Sequence, residues 1–456
     1  MTAKNFQTAF IVGAILLCSS CQKDNTEIST PPFSVGKEVS DAAPLTGSVK
    51  GTMTSGKTYY VDGEVTINRG DTLLIQPGVT VYAKNATSVF IVKGVFLSLG
   101  TKEKPVKLSV EGKTKQDSPS TLPENDPAMA GLWGGVVCDM ECPRLILKWT
   151  NIEYTGSHFT NPPIEGLSGH GYYWGVTFLN PEGTFVMEDC HMYGANTEGV
   201  RIMGGYISIL RNKFEKIGLQ LGDAVTIKGG GTQGDVAYNV FIGCSSQCIV
   251  VDNFEGNTRQ VTVNAYNNTI INSGWRTARA NEVYGITYFR QAAGLICNNA
   301  IVNCRGGLFL DNGKPPKLDA LNYGYNSFYA DTKDIAENIY PWGSLTEPKT
   351  TDLPTPSSYL PAGFQTGGEY DGSAITGVNN PLFKQFTIPC PDPAKYSYTA
   401  GHDFHINTGS PLIGKGTGTI FALKKVPIDP NFGVTEYSEP GSDIGAYPTT
   451  GIGNKL

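Results

Sequence analysis

An Asn followed two residues later by an apolar residue recurs through the middle of this chain. It stands in "RNKF" (Asn212), "YNVF" (Asn239), "NNTI" (Asn268), "NNAI" (Asn299) and "YNSF" (Asn326), at intervals of 27, 29, 31 and 27 residues. "TNIEYTG" at 150–156 and "EDCHMYG" at 188–194 read as weaker earlier members. A repeat of near-constant length restricts the fold severely, because each unit must bury its apolar face against the next. Residues 57–110 show what the units contain. "YYVDGEVTI", "LLIQPGVTVY" and "VFIVKGVFLSLG" alternate apolar and polar residues in short runs split by Gly, Asn and Asp, the period-two pattern of strands. The main body holds no amphipathic run of helical length, so the class is all-β.

A unit of this size suits one turn of a parallel β-helix, with three short strands and three corners. Each strand pairs with its counterpart one coil away, so an equivalent residue stacks on its copy at roughly 4.8 Å. Asn at a corner tolerates the left-handed backbone, and stacked Asn side chains can bond up and down the column. Five residues after each Asn stands Ile217, Cys244, Ser273, Cys304 or Asp331. Cys244 and Cys304 therefore occupy one inward column two rungs apart, roughly 9.6 Å by strand spacing. That is too far for a disulfide, and both read as small buried hydrophobes. Cys138/Cys142 and Cys244/Cys248 are C-x₃-C pairs without a nearby His or a second matching half, so no zinc site is expected.

At this point the chain resembles the right-handed parallel β-helix (pectin-lyase-like) superfamily, in its Bacteroidetes surface lipoprotein branch. "LLIQPGVTVYAKNATSVFIVKGVFLSLGTKEKPVKL" is similar to the opening coils of those proteins, and "GLWGGVVCDMECPRLILKWTNIEYTG" to their W-G-G coil. "DFHINTGSPLIGKG", "VPIDPNFGV" and "SDIGAY" resemble a closing segment common in bacterial β-helix proteins. The resemblance implies the fold and says little about activity, since the fold hosts lyases, hydrolases and adhesins alike. His402 and His405 flank Asp403 within that closing segment and read as packing.

The ends fit the same picture. Lys4, the apolar "AFIVGAILL" and "LCSSC" resemble a bacterial lipoprotein signal in which Cys21 becomes the lipidated (palmitate-bearing) N-terminus. "QKDN" after Cys21 is similar to the signals that send such lipoproteins to the outer face of the outer membrane. The expected layout is a leader over 1–21, a flexible tether over 22–48 and a β-helix of about a dozen coils over 49–331. A loop-rich excursion over 332–400 and a closing C-terminal cap over 401–456 complete it. A long loop interrupts the coil at 156–175.

With a net charge of −6 and only 17% charged residues, the chain lacks the basic stripe that nucleic acid requires. Its charges cluster instead where apolar strands end: Arg201, Asp223, Asp252, Arg290 and Asp311. Counted from each coil's Asp or Asn, four of them fall 11 to 13 residues on, and Arg290 follows an insertion. In register they share one corner of neighbouring rungs, with Asp223 and Asp252 about 4.8 Å apart. Such carboxylates could act as acid and base on a glycosidic bond or gather Ca²⁺, with Arg neutralising an acidic sugar. They could equally be plain strand-ending turns. Loop residues Trp174, Trp275 and Arg276 are further candidates, able to stack on sugar rings and bind their acidic groups. The expected function is capture of an extended glycan at the cell surface. Alternatives are a polysaccharide lyase or glycoside hydrolase using Asp223, Asp252 and Asp311, and a structural surface protein.

Overall fold

The repeating units wind into a right-handed parallel β-helix with three faces, seen in a computed structural model that describes residues 33–115, 122–254, 258–339, 351–353, 376–386 and 401–456. Face 1 stacks ten parallel strands from Gly51–Met53 to Leu321–Gly324. Face 2 runs from the first half of Thr58–Ile67 to Ser327–Tyr329, and face 3 from Leu45–Ser48 to Gly306–Leu310. The described coils thus number ten per face, fewer than the dozen expected, because inserted loops lengthen several turns. The expected leader, with Cys21, lies outside the described residues, as do residues 22–32, most of 332–400, and Cys390. Among the described residues no helix is long and apolar enough to cross a membrane.

Period two governs each strand. On face 3, Val200, Val225, Ile249, Ile286 and Leu308 stack inward in one column, and all are buried. Their neighbours Arg201, Thr226, Val250, Thr287 and Phe309 form the next column, facing outward. β-Branched residues fit such a pleated surface, and each fully buried aliphatic side chain contributes about 1.5–3 kcal/mol.

The repeated Asn residues form a buried ladder at the corner between faces 1 and 2. Asn212, Asn239, Asn268 and Asn299 each donate Nδ2 to the next Asn's Oδ1 at 2.9–3.0 Å. Their backbone N–H groups donate to the same oxygens at 2.9–3.1 Å. Cys190 begins the Asn run from below, its N–H 2.9 Å from Asn212 Oδ1. At the far end the Asn326 N–H meets the carboxylate of Asp352 at 2.9 Å. The left-handed residue is the one before each ladder Asn: Arg211, Tyr238, Asn267, Asn298 and Tyr325 have φ of 50–58°. Asn stands in this column for its paired donor and acceptor, and the turn falls to its predecessor. Cys244 and Cys304 do share an inward column through Ser273. Cys138, Cys142, Cys190, Cys244, Cys248, Cys297 and Cys304 are all buried and unbridged.

Ser34–Leu456 forms one unit, and its two ends differ from expectation. Residues within the expected tether already belong to the coil. Val39 N–H bonds Thr52 O at 2.8 Å, and Leu45–Ser48 is the first rung of face 3. At the other end the short helix Lys333–Ile339 covers the stack, placing Ile335, Ala336 and Ile339 in the core. The C-terminal segment therefore does not close the end. Residues 417–446 run along the side as a strap that climbs and doubles back. Thr417 bonds Asn298, Leu423 and Lys424 donate to Asp235, and the Asp429 and Pro430 carbonyls accept from Lys148. The chain then returns past Glu188, Arg211, Tyr238 and Asn267. The cause is the outer surface of face 1, where Leu74, Leu97, Ile146 and Val186 form an outward apolar column that Val426 and Val434 help to cover. Residues Phe383, Phe404, Ile406 and Leu412 do the same for Ile242, Ile271 and Val302 on face 2.

Candidate functional site

Face 3 is treated differently along its length. Over its early coils the loop 156–175 lies on Ile91 and Val137 through Leu167, Tyr173 and Trp174. Past that loop a groove of about 820 Å³ opens over the later coils, with Val250, Thr287 and Phe309 in its floor. Its sides come from corner segments around Glu198 and 219–223, from the insertion carrying Arg279, Asn281 and Glu282, and from Arg290, Asp311 and Lys314. His158 and Tyr172 reach it from the loop.

The five charged candidates do not share one column. Strand pairing sets Val225 opposite Ile249, so Asp223 aligns with Gln247 before the strand, whereas Asp252 ends its strand opposite Phe289. Asp223 and Asp252 therefore stand on the order of 15 Å apart along the strand direction, not one rung. Counting from the Asn corner fails because the segment before face 3 varies in length from coil to coil. Asp252 and Asp311 do lie two rungs apart, with Phe289 between them, but Asp252 is not part of the groove lining and Asp311, which is, is held by a turn. Asp252 is fully buried, with Oδ2 at 2.9 Å from Arg290 Nη1. Burial pushes its carboxyl up to about 6 despite Arg290. Asp311 Oδ1 accepts the N–H groups of Gly313 and Lys314 at 2.8 and 3.2 Å, as a turn residue does.

Asp223 is the candidate that faces the groove, and its neighbour there is Glu198. The Gly199 N–H donates to Asp223 O across one rung, so the two acids occupy equivalent places on adjacent coils. Asp223 Oδ1 accepts from Gln247 N–H and Oδ2 from Thr226 Oγ1, both at 3.1 Å. Burial first, then the negative charge of Glu198, lifts the Asp223 carboxyl to about 7. Glu198 is held by Arg201, whose Nη1 lies 2.8 and 2.9 Å from its two oxygens. Sequence reading missed Glu198, yet a signal exists. "EGVRI" and "DAVTI" each place an acid two residues before the strand's first Val, and aligning on the strand finds the pair that counting from the corner hides.

The remaining candidates take structural places. Arg201 stands over Trp174, its Cζ 4.6 Å from the ring centre, and Trp174 is buried beneath it and His170. Trp275 donates Nε1 to Asn303 O at 2.9 Å and packs on the core. Arg276 is enclosed, donating to the carbonyls of Ile217, Gly218 and Gly243 at 2.7–3.2 Å. An insertion after a corner leaves carbonyls without strand partners, and a guanidinium satisfies several at once. Neither Trp275 nor Arg276 lines the groove, so their assignment to ligand contact is corrected. Arg290 keeps a place in the groove wall, with the rings of Phe254 and Phe289 at 5.2 and 5.0 Å.

Of the carboxylates that could gather Ca²⁺, Asp223 stands apart from Asp252 and Asp311, and among the described residues no group of three or more His, Cys, Asp or Glu converges as a metal site. What the groove does offer is a carboxyl raised to about 7 beside a second carboxylate, ion pairs such as Arg279–Glu282 at 2.9 Å, and ring faces at Tyr172, Phe289 and Phe309. Comparison with protein-family models, with curated proteins and with solved structures gave no match.

Proposed function

We propose that the face 3 groove binds an extended glycan, and that the chain is a surface lipoprotein of the pectin-lyase-like kind, anchored through Cys21 in the outer membrane and facing outward. One observation carries the binding reading. The outer surfaces of face 1 and of the last coils of face 2 are covered by the chain's own segments, whereas the later coils of face 3 line a groove of about 820 Å³. Its ring faces and hydrogen-bonding charged groups match the apolar faces and hydroxyl edges of sugars. Lys228 adds a cation that has no ion-pair partner among the described residues, which favours a chain carrying acidic groups.

The test is retention of the protein on a panel of acidic and neutral polysaccharides. Arg279→Ala and Lys228→Ala should weaken retention, and Trp275→Ala in a folded protein should not. Retention by no polysaccharide sinks the reading and leaves a structural surface protein.

Asp223 favours a second reading, a hydrolase or lyase at the same place. A carboxyl that keeps its proton near neutrality beside a carboxylate is the pair that splits a glycosidic bond. At one-rung spacing the Asp223 carboxyl gives its proton to the departing oxygen while the Glu198 carboxylate attacks the sugar's anomeric carbon, and water, giving its proton back to Asp223, then releases the sugar from Glu198. New reducing ends that disappear in both Asp223→Asn and Glu198→Gln, with retention kept, would establish catalysis. Absence of new reducing or unsaturated ends across retained polymers would leave capture alone.

A further inference from the structure

We infer that the groove is closed at one end and reads the end of a glycan chain, not its middle. This rests on the glycan reading above. The outward column of face 3 that floors the groove can be followed backwards, from Phe309 through Thr287, Val250 and Thr226 to Arg201, then to Thr177, Val137 and Ile91. A polymer lying along the stack would have to follow this column. It cannot, because the loop 156–175 sits on Val137 and Ile91 through Leu167, Tyr173 and Trp174, and Arg201 is pressed on Trp174.

The obstruction is built into the fold. The loop is pinned by Ser157 Oγ to Ala86 O at 2.6 Å and by Thr197 Oγ1 to Tyr173 O at 2.8 Å. An antiparallel bridge joins His158 to Tyr172, and both residues line the groove at this end. From the rung of Arg201 to that of Phe309 there are four steps, roughly 19 Å by strand spacing, which is room for a few sugar rings.

The chemistry at the closed end suits a terminus. Glu198 and Asp223 stand there on adjacent rungs, with Asn196 beside them. A terminal sugar presents a free hydroxyl where an internal one carries its next linkage, and these oxygens can accept its hydrogen bond. An internal sugar would have to place its next ring where Tyr172 stands.

The experiment uses the full chain with two ladders of two to ten sugars, one of polyuronate oligosaccharides and one of cello-oligosaccharides. Long polymers of each type are added, and binding is followed by calorimetry with chains counted by end groups. Affinity should plateau by about four sugars, and a long polymer should take no more than one protein per accessible end. Reducing the reducing end to an alditol, or methylating the non-reducing terminal hydroxyls, should weaken binding at least tenfold for whichever end is read. Replacing residues 158–174 by a Gly-Gly link, which removes Tyr172, Tyr173 and Trp174 with the rest of the loop, should let several proteins occupy one chain. A wild-type protein count that rises with polymer length overturns the chain-end assignment while leaving glycan binding intact. Unaltered affinity for both end-modified chains overturns it too. No binding of any member of either ladder overturns both readings together.

Discussion

Cutting the Asn ladder at its centre should cost a large part of the stability of the fold, and Asn268→Ala is the cut that measures it. Asn268 is fully buried. Its Nδ2 donates to Val236 O at 2.9 Å and Asn299 Oδ1 at 3.0 Å, and its Oδ1 accepts the N–H and Nδ2 of Asn239, both at 3.0 Å. Alanine removes all four bonds. Asn239 Nδ2 keeps Ile209 O, and Asn299 Oδ1 keeps the Asn268 N–H. The Asn239 N–H keeps nothing and is stranded in the interior. A stranded buried donor costs about 1–3 kcal/mol and each of the three other lost bonds about 0.5–1.5, which gives a total of about 2.5–7.5 kcal/mol. Against a total stability of about 5–15 kcal/mol this is a severe loss. Urea unfolding followed by circular dichroism should show a lower midpoint at unchanged slope. Thr87→Ala, which removes one exposed bond to Asn85, should stay within about 0.5 kcal/mol of wild type. A loss below about 1 kcal/mol for Asn268→Ala at unchanged slope would refute the claim that the column bears on stability.

Arg276→Ala should destabilise by about 2–4 kcal/mol, because the carbonyls of Gly218 and Gly243 lose their donor while that of Ile217 keeps the Ser245 N–H; a loss of glycan retention without any fall in melting temperature would contradict this. Arg211→Met should cost about 3–5 kcal/mol, since it leaves the buried Asp189 without its cation and Glu188 with Lys148 alone, 3.7 Å away, and limited proteolysis should then cut within 417–446. For Asp223, the folded carboxyl titrates near 7 against an ordinary 3.8, so its stabilising share is full below about pH 4 and fades as the pH rises to 7. Melting temperature measured from pH 4 to 8 should therefore fall less steeply for Asp223→Asn than for wild type, with the difference in slope fullest between about pH 5 and 6 and fading as the pH passes 7; parallel curves would refute the assignment.

The fold was legible because its signals are local and periodic. Asn212, Asn239, Asn268, Asn299 and Asn326 announce the coil, and Ile217, Cys244, Ser273 and Cys304 five positions later face inward as the spacing requires, whereas Asp331 at the last coil stays half-buried. What the spacing hid is where variable segments intervene. In "EDCHMYG" the spacing offers Asp189 as the corner residue, yet Cys190 is the one that bonds Asn212 and Asp189 takes the left-handed place before it, a slip of one residue that moves a side chain to the opposite face. Asp223 and Asp252 were placed one rung apart because the segment before face 3 was taken as constant. The C-terminal strap was illegible for a different reason. Its contacts with Lys148, Arg211 and Asp235 join residues some 190 to 290 apart in sequence, and no local pattern encodes them. The outward apolar column of Leu74, Leu97, Ile146 and Val186 was nonetheless a hint, because a solvent-facing strand surface of that kind needs a cover.

That cover also explains why one face carries the candidate chemistry. A coil buries its inner columns by stacking, so every polar outer position is free to be chosen for another purpose. On face 1 the outer positions Asp235 and Asn264 are taken up in holding the strap, through the N–H groups of Leu423 and Lys424 and the carbonyl of Phe421. On face 2 the outer positions Ile242, Ile271 and Val302 are apolar and covered. Past the loop 156–175, face 3 has Thr226, Val250 and Thr287 on its outer column, too small to fill the space that the flanking corner segments enclose. Small outer residues between tall walls make a groove whatever lies inside it. Glu198 and Asp223 sit where such a groove meets its end wall, in the one place where burial can hold a proton on a carboxyl and a ligand can still reach it. Filling the floor should therefore act on ligand and not on fold. Val250→Phe, pointing away from the core, should leave the melting temperature within a few degrees of wild type and remove glycan retention. A variant that retains glycan as well as wild type would move the site off this floor.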